Sequence, residues 1–417
     1  MISVDGLAWS LPCCPAPPTW SVDWPAILAA YPWLRSLDGV PQSPVHHAEG
    51  DVLIHTRLVA EALAAMPAWR ALPDTERAVL FAAALLHDIG KPGCTQVEPD
   101  GHISTRGHAR AGASSTRHRL WTREGLGVET PFAVRETITA LVRLHGLPLW
   151  FLEREDIDRA LFTASYRVRL DRVALLAEAD ARGRACRDKA ELLDRIELFR
   201  ETCREHNCLD HPRPFSSDHT RVCYFRGIHR DPDYDAYDDT WGEVVLLAGL
   251  PGAGKDTWLR DNLPDRPVLS LDAIRRELDI DPKKTQGRVV HSAKQQAREL
   301  LRDRRPLVWN ATNLTRRMRD PLIDLFLAYG ARVRIVYLDS PLDVLLRRNR
   351  ARPAAVPEPV IRRLADKLEL PDLTEAHRVE YGMAGLERGS PLSGATKTIG
   401  EEAIYSSANA RDHEQGA

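Results

Sequence analysis

Three polar side chains fall on the apolar faces of predicted helices. The positions three, four and seven residues after His55 are apolar, as are those four and seven before His145 and Asp180. His87 and Asp88 end the most apolar helical stretch, "TERAVLFAAALLHDIGKP". One buried histidine is usually a hydrogen-bonded core residue, but an unpaired buried carboxylate is costly. Several imidazoles and two carboxylates facing inward from different helices therefore predict a divalent metal site.

The order of these residues resembles the HD phosphohydrolase superfamily, whose signature is a histidine, a His-Asp pair and an aspartate on a helical bundle. "HAEGDVLIHT", "LLHDIGK" and "EADARG" are similar to the HD domain attached to some tRNA nucleotidyltransferases, over roughly residues 40 to 190. No nucleotidyltransferase motif precedes them, so the resemblance does not imply tRNA maturation. The metal ligands that it implies are His55, His87, Asp88 and Asp180, with His108 and His145 at two additional family positions.

The reaction implied for this half is metal-assisted hydrolysis of a phosphoester. Asp88 would bridge two ions if His108 and His145 both bind, so we expect one or two divalent ions. Histidine and aspartate ligands suit Mn, Co, Ni, Zn or Fe. A metal-bound water of lowered pKa would attack phosphorus. Lys91, just after the helix end, could hold a phosphate oxygen, although an exposed lysine is an equally good interpretation.

A second candidate site is the glycine-rich stretch "GLPGAGKDTW" at residues 249–258. An apolar run precedes it and a predicted helix follows, which is the setting in which backbone N–H groups hold phosphates. Lys255 would reach the β- and γ-phosphates. The residues predicted to bind ATP, or another NTP, with Mg²⁺ are Gly249, Gly252, Ala253, Gly254, Lys255, Asp256 and Thr257.

Asp256 stands where such loops carry a serine or threonine hydroxyl for Mg²⁺. A carboxylate is a better Mg²⁺ ligand than a hydroxyl, but it adds negative charge beside the phosphates. Either Asp256 binds the ion, directly or through water, or it points away and Thr257 matters more. We favour a working variant of the loop, because further features of a kinase lie downstream.

Those features are three polar or basic segments. In "SLDAIRREL", Asp272 could accept the proton of an attacking hydroxyl while Arg275 holds an anionic acceptor group, although a capped helix with an ion pair is the ordinary alternative. Asn313 follows an apolar strand in "VWNATNLTRRMRD", where ligands of parallel sheets gather. "LLRRNRARPAAVP" would form a lid, and its Arg348 and Arg352 are candidates for stabilising the transferring phosphoryl group.

Residues 243 to 382 resemble the polynucleotide kinase branch of P-loop phosphotransferases, in which an S-x-D-x-x-R element supplies the base and a clamp for the acceptor phosphate. Ser270, Asp272 and Arg275 fit that spacing. The fusion resembles bacterial bifunctional RNA end-healing enzymes, including their linker. The resemblance implies removal of a 2′,3′-cyclic or terminal phosphate from a 3′ end and ATP-dependent phosphorylation of a 5′-OH end. The expected partners are broken ends of RNA, or of DNA, and a separate RNA ligase.

Two other functions fit the same residues. An HD nucleotidase could be joined to a nucleoside or sugar kinase, since the arginines favour a polyanionic acceptor without excluding a mononucleotide. A nucleotide-sensing regulatory protein could carry Asp256 in a degenerate loop. Transfer to 5′-OH oligonucleotides and the effect of Asp272→Ala distinguish these alternatives.

The elements that position these residues predict two domains. Residues 1–204 are predicted to form a helical HD bundle, followed by an ordered connector at 205–240. Short apolar runs then alternate with helical stretches over 241–384, which predicts an α/β P-loop domain with a parallel sheet. Residues 385–417 are polar and small, and we expect a mobile tail.

Length and composition agree with this division. A chain of 417 residues, 43% hydrophobic and 28% charged, is typical of two globular domains and has no apolar run long enough for a bilayer. The seven cysteines are scattered and the first residues lack the pattern of a secretory signal, so we expect a reduced, cytoplasmic protein without a membrane partner. A net charge of −2 gives no general argument for nucleic-acid binding.

Overall fold

The chain forms two compact units, Met1–Pro214 and a second that begins at Phe215. A computed structural model describes residues 1–122, 125–281, 286–352 and 355–383. The predicted tail at 385–417 lies outside the described residues. No helix in those ranges combines the length and the apolar character that crossing a membrane requires.

The first unit is helical. Its described helices are α1 (Trp24–Ala30), α2 (Val52–Ala65), α3 (Pro67–Arg70), α4 (Asp74–Leu86), α5 (His108–Trp121), α6 (Phe132–Leu144), α7 (Leu147–Trp150), α8 (Ile157–Ser165), α9 (Leu170–Gly183) and α10 (Lys189–Glu205), with 3₁₀ turns at Pro32–Leu37, Lys91–Gly93 and Phe151–Glu153. Helix α2 packs against α4 and α9, and α6 packs against α4 and α5. Every residue of α4 from Ala78 to Leu86 is buried. Its C-terminal end therefore lies inside the bundle.

The second unit is a five-stranded parallel sheet flanked by helices. Its strands are β3 (Gly242–Ala248), β4 (Val268–Ser270), β5 (Val308–Asn310), β6 (Ala331–Asp339) and β7 (Arg378–Met383), and its described helices are α11 (Asp218–Phe225), α12 (Lys255–Asn262), α13 (Leu271–Glu277), α14 (Gly287–Arg302), α15 (Arg316–Ala328), α16 (Leu342–Arg350) and α17 (Glu358–Asp366). The strand order is β4-β5-β3-β6-β7. The predicted α/β architecture is confirmed.

The register of the sheet places the predicted kinase residues at one edge. Asn310 at the end of β5 pairs in register with Leu247 of β3 on one side and with Ser270 of β4 on the other. The loop after β3 and the first turn of α13 therefore begin on either side of the end of β5. Ligands of open parallel sheets bind at this carboxyl edge.

Four elements were not predicted from the sequence: two short strands in the helical unit, a helix in the connector, and the last strand of the sheet. Residues Gln96–Val97 (β1) and Ile103–Ser104 (β2) form an antiparallel hairpin inside the helical unit. Helix α11 lies within the predicted connector, and Arg221 on it donates to the carbonyl oxygens of Leu373 and His377 at 3.0 and 2.7 Å. Strand β7 closes the sheet beyond β6. The segment from Phe215 onwards thus packs as part of the second unit.

Candidate functional site

Gly90, in the turn after α4, has no side chain, so the backbone there packs directly against the start of α5. A Cβ atom there would lie 2.2 Å from the carbonyl oxygen of His108 and 2.5 Å from the amide nitrogen of Gly112. No real Cβ approaches backbone atoms so closely. This contact brings His108 to the side chain of Asp88.

Asp88 is shared by two groups of three possible metal ligands. Its Oδ2 lies 3.2 Å from Nε2 of His87 and 3.9 Å from Nε2 of His55, and its Oδ1 lies 3.6 Å from Nε2 of His108. The Nε2 atoms of His108 and His145 are 3.4 Å apart. One group is His55, His87 and Asp88, and the other is Asp88, His108 and His145. The structure therefore brings the predicted ligands together around one carboxylate.

Three of the histidines are oriented by the same backbone contact. The Nδ1 atoms of His87, His108 and His145 each lie 2.8 Å from the carbonyl oxygen three residues earlier, at Ala84, Thr105 and Val142. Since a carbonyl oxygen only accepts, each Nδ1 must carry the proton. In the neutral ring Nε2 then has the free lone pair, and Nε2 is the atom that faces the cluster. These rings are in the tautomer that binds metal.

Glu49, which the sequence analysis did not identify, lies beside His55. Nδ1 of His55 lies 2.8 Å from Oε1 of Glu49, at an angle outside that of a normal hydrogen bond, and the same oxygen lies 2.8 Å from Nδ1 of His47. Nε2 of His55 lies 3.1 Å from Oδ1 of Asp180. A carboxylate behind a ligating imidazole fixes the ring and makes it a better ligand. Glu49 lies within the "HAEGDVLIHT" stretch, but in a loop where helical periodicity gives no signal.

Asp180 is at the site but is also engaged by a cation. Arg184, the first residue after α9, donates to Oδ1 at 3.0 Å and to Oδ2 at 2.7 Å. Asp180 belongs to neither group of three, and its ligand role stays a prediction. Arg184 was also missed, although its spacing of four residues from Asp180 is a helical pairing that the sequence displays.

Lys91 is buried, with 6% of its surface exposed, so the interpretation as an exposed lysine is wrong. Its Nζ lies 2.6 Å from Oδ2 of Asp88 and donates to Oε1 of Gln42 at 2.7 Å. The ammonium therefore lies at the carboxylate that the two groups share. Its role as a phosphate ligand stays a prediction.

The electrostatics of this cluster keep its carboxylates ionised. Burial alone would raise the pKa of Asp88, but the charges of His87 and Lys91 hold it well below the ordinary range. The Asp180 pKa is likewise held low against burial, chiefly by Arg184. Burial lowers the pKa of His145 to about 3, so this ring is neutral. Burial alone would lower the pKa of His87, but the carboxylate of Asp88 raises it, so this ring would give up its proton when a metal binds. Ionised carboxylates and neutral imidazoles are the forms that coordinate a divalent cation.

The donor set fits a divalent transition metal. Nε2 of His87 and Oδ2 of Asp88 are buried and have no hydrogen bond of acceptable geometry, although His55, His87 and Lys91 lie around them. Buried polar atoms normally have partners, and a coordinated ion would supply them. The shared Asp88 gives each of its two oxygens to a different group of histidines.

The glycine loop of the second unit has the close backbone contacts of a phosphate-binding loop. Gly249 has φ +145°, and a Cβ there would lie 2.6 Å from the carbonyl oxygen of Leu338. Nζ of Lys255 donates to the carbonyl oxygens of Gly249 and Leu250 at 2.8 and 3.0 Å. The lysine thus closes over the loop that would hold phosphates. The remaining loop positions, Gly252, Ala253 and Gly254, lead directly into α12.

Asp256 is in the first turn of α12 and is exposed, as is its neighbour Thr257. Its Oδ1 accepts a hydrogen bond of 2.8 Å from Nδ2 of Asn310 at the end of β5. The carboxylate is therefore directed by the adjacent strand. Whether Asp256 or Thr257 binds Mg²⁺ stays a prediction.

Asp272 and Arg275 form an ion pair in the first turns of α13. Nε of Arg275 also donates to Oε1 of Gln286 at 2.6 Å, while most of the Asp272 side chain is exposed. The charge of Asp272 acts on Lys255, since it raises the pKa of that amine while burial lowers it. The charges of the predicted base and the loop lysine are therefore coupled, and their action in one site stays a prediction.

The arginines of the predicted lid differ in their contacts. Arg352 lies close enough to Lys255 for its charge to lower the lysine pKa further. Arg348 donates to Oγ of Ser340 at 3.3 Å. Asn313 is buried and donates to the carbonyl oxygen of Leu247 at 2.6 Å, which is a structural contact. The catalytic role of the arginines and the substrate role of Asn313 stay predictions.

Comparisons with known proteins find matches to two separate parts of the chain. Residues 52–181 match the HD domain family and residues 244–371 match an AAA domain family. The chain is 32% identical over 169 residues to the multifunctional CCA protein of Methylococcus capsulatus, covering 39% of this chain and 36% of that protein. It is 24% identical over 135 residues to the L-seryl-tRNA(Sec) kinase of Methanococcus maripaludis, covering 31% and 53%.

A solved structure, that of the Pnkp1/Rnl/Hen1 complex, matches 30% of this chain and 44% of that chain at 19% identity, with a TM-score of 0.26. The chain thus spans about a third to a half of the length of the curated relatives named above. Residues 52–181 are accordingly a helical HD domain, and residues 244–371 belong to a P-loop AAA-type domain built on five parallel strands.

Proposed function

We propose that this protein is a bifunctional enzyme that heals broken RNA ends. The HD domain hydrolyses a 2′,3′-cyclic or terminal phosphate, and the P-loop domain transfers the γ-phosphoryl group of ATP to a 5′-hydroxyl. Cleavage of RNA by its 2′-hydroxyl leaves both of these ends, and a ligase can join neither. The products would be a 3′-hydroxyl and a 5′-phosphate, ready for a separate ligase.

One observation carries the proposal: the chain joins a metal-ligand cluster centred on Asp88 to a phosphate loop with an Asp272–Arg275 pair beside it. Each site supplies one half of end repair. One relative, the L-seryl-tRNA(Sec) kinase, is named as a kinase that acts on a tRNA. This similarity supports phosphoryl transfer to a hydroxyl group linked to RNA. The ion pair with Arg275 also supports an anionic acceptor over a neutral sugar.

In the HD domain, His55, His87, Asp88, His108 and His145 would hold the metal, which when bound lowers the pKa of water and polarises a phosphoryl oxygen. The protein's own residues orient the metal ligands and neutralise the charge of the phosphate. Three backbone carbonyl oxygens keep the imidazoles of His87, His108 and His145 turned towards the cluster, and the carboxylate of Glu49 lies beside His55. Lys91, whose Nζ is 2.6 Å from Asp88, lies where it can pair with an oxygen of the phosphate as the substrate enters.

In the P-loop domain, Asp272 accepts the proton of the 5′-hydroxyl as the new P–O bond forms and the bond to ADP breaks. Arg275 holds the phosphate that follows the terminal nucleoside. Lys255 and Arg352 neutralise the transferring group, as cations do in phosphoryl transfer. The exposed Asp272 side chain is accessible to a strand end.

The experiment uses an RNA oligonucleotide with 5′-hydroxyl and 2′,3′-cyclic phosphate ends, ATP with labelled γ-phosphate, Mg²⁺, and Mn, Co, Ni, Zn or Fe in turn. We expect label at the 5′ end and conversion of the cyclic phosphate to a 3′-hydroxyl. Free nucleosides and a DNA oligonucleotide of the same sequence serve as competing acceptors. Faster transfer to free nucleosides than to the oligonucleotide would refute the RNA-repair function and favour a small-molecule kinase.

A further inference from the structure

The cavity over the HD metal cluster carries positive charge that its own carboxylates do not neutralise. It has a volume of about 330 Å³, and its charged lining residues are Asp88, Lys91, Arg143, Arg154, Asp180 and Arg184. Lys91 is 2.6 Å from Asp88, and Arg184 is 2.7 Å from Asp180. The charges of Lys91 and Arg184 are therefore matched by the two carboxylates of the cavity. The charges of Arg143 and Arg154 have no such match among the lining residues.

These two arginines have no carboxylate partner within the described ranges, and both are exposed. Glu153, next to Arg154 in sequence, pairs instead with Arg195 at 2.7 Å. The strongest charge effects on Arg143 come from the guanidinium groups of Arg167, Arg110 and Arg154. Like charges gathered beside a catalytic cavity repel one another, and an anion between them would relieve that repulsion.

An exposed aromatic side chain lines the same cavity. Trp150 ends α7, and 44% of its surface is accessible to solvent. The guanidinium of Arg195 lies 5.7 Å from the centre of its ring, and this arginine also donates to the carbonyl oxygen of Leu149 at 3.2 Å. The indole is therefore supported on the protein side. Exposed aromatic rings among cations are the usual surface for stacking nucleic-acid bases.

We propose that Arg143, Arg154 and Trp150 form a subsite for the strand that leads to the reacting 3′ end. The backbone phosphate preceding the terminal nucleotide binds between the two arginines, and a base stacks on Trp150. This inference rests on the proposed phosphoesterase function. It adds that the substrate is a single-stranded oligonucleotide, because a mononucleotide has neither the second phosphate nor the second base.

The test measures steady-state hydrolysis by the full-length protein with Mn²⁺. The substrates are bis(p-nitrophenyl) phosphate, a 2′,3′-cyclic mononucleotide, and RNAs of three and ten nucleotides with the same cyclic 3′ end. The variants are Arg143→Ala, Arg154→Ala, their combination, Trp150→Ala and Trp150→Phe. Arg204→Ala is the matched control, since Arg204 is an exposed arginine of α10 outside the cavity.

We expect each single arginine variant to raise KM for both RNAs about tenfold, and the double variant to raise it about 100-fold. The kcat for the RNAs, and kcat/KM for the two small substrates, should change less than twofold. The dependence of log KM on log salt should become shallower by about 0.7 when the bound phosphate loses its partners. Trp150→Ala should cost roughly 5- to 150-fold in KM for the RNAs, and Trp150→Phe should recover part of the loss.

Other outcomes overturn the inference in distinguishable ways. Equal losses on the mononucleotide and on RNA would place the arginines at the reacting phosphate. A wild-type enzyme with the same kcat/KM for the mononucleotide and the ten-nucleotide RNA would have no strand subsite, while the phosphoesterase would stand. Absence of hydrolysis of every substrate with Mn²⁺, and with Co, Ni, Zn or Fe in its place, would remove the proposed phosphoesterase function itself.

Discussion

Asn310 at the end of β5 donates a hydrogen bond of 2.8 Å to the carboxylate of Asp256 in the first turn of α12. In most phosphate loops a hydroxyl occupies the position of Asp256. Here a carboxylate and an amide meet instead, and the amide leaves the negative charge on Asp256. The pair therefore places a carboxylate oxygen at the loop, and the neighbouring strand sets its direction.

We predict that Asp256 is the Mg²⁺ ligand of the kinase site and that Asn310 orients it. Asn310→Ala should weaken Mg²⁺ in the ATP complex by about 10–100-fold, as loss of an orienting partner usually does, and Asp256→Ala should weaken it further. Asp256→Thr should recover activity in part because a hydroxyl also binds Mg²⁺. The measurement is kinase rate against Mg²⁺ concentration at saturating ATP. Unchanged Mg²⁺ dependence in Asp256→Ala would transfer the role to Thr257.

The two reactions should be separable by single substitutions. Asp272→Ala removes the proposed general base and should slow phosphoryl transfer by about 10²–10⁴-fold while phosphate release continues. Asp88→Ala removes the carboxylate shared by both ligand groups and should abolish phosphate release while the kinase stays active. Both activities are measured on the same RNA with each variant.

Asp265→Ala is the control for the first of these substitutions, since Asp265 is an exposed aspartate of the same domain. It should leave both rates within twofold of the wild-type values. Loss of both activities in either single variant would contradict the division of labour between the domains. If Asp272→Ala abolished phosphoryl transfer but left the biological function of the protein intact, the protein would instead be a nucleotide sensor.

The sequence predicts this site well where periodicity applies. His87 and Asp88 end a helix buried along its last nine residues, and an apolar run of that length shows its burial directly. Ser270, Asp272 and the glycine loop follow strands, so the carboxyl edge of a parallel sheet brings them together. These residues were found because helix and strand patterns determine where their side chains lie.

The parts that were missed depend on contacts between distant segments. Glu49 reaches His55 from a loop, and Asn310 reaches Asp256 across 54 residues of sequence. Strand β7 has intermediate and buried residues without strict alternation, and α11 occurs in a stretch rich in histidine and aspartate. Local propensity carries little information about such elements, because tertiary packing determines them.

ATP affinity should fall as pH rises above about 8. Burial lowers the pKa of Lys255 to about 8, Asp256 and Asp272 oppose that shift, and Arg352 adds to it. The phosphates need the charged ammonium, so above that pKa the free protein must take up a proton to bind ATP. We expect Kd for ATP to be flat from pH 6.5 to 7.5 and to rise up to tenfold per pH unit above 8. Lys255→Arg, which stays charged, should have a flat profile.

The buried ion pair between Arg319 and Glu375 should stabilise the P-loop domain. The guanidinium donates to both carboxylate oxygens at 2.7 Å and also to the carbonyl oxygens of Asn313 and Glu369. Removing one partner leaves a buried charge unmatched. Arg319→Met should therefore lower the free energy of unfolding by about 3–5 kcal/mol.

Urea denaturation of the full-length protein measures this change. The transition that ATP shifts to higher urea identifies the P-loop domain, because a ligand stabilises the domain that binds it. Replacing Arg319 and Glu375 together by Met and Leu should restore much of the stability. A double variant as unstable as the single one would show that packing, not the unmatched charge, accounts for the loss.

Glu49 should strengthen metal binding without being a ligand of the His55 group. Its Oε1 is 2.8 Å from Nδ1 of His55, and its Oε2 accepts from the amide of Ala185 at 2.7 Å, so the carboxylate is itself fixed. A carboxylate behind an imidazole makes the ring a stronger donor, and its loss typically costs about 10–100-fold in metal affinity. Glu49→Gln keeps the shape but removes the charge, whereas Glu49→Ala removes both.

Competition of each variant with a chelating dye for Mn²⁺ or Zn²⁺ should therefore give the affinity order wild type, Glu49→Gln, Glu49→Ala. Glu61→Gln, an exposed glutamate on the same helix as His55, should bind metal as the wild type does. Wild-type affinity in Glu49→Ala would mean that the imidazole needs no such support and that Glu49 serves only to hold the loop before α2.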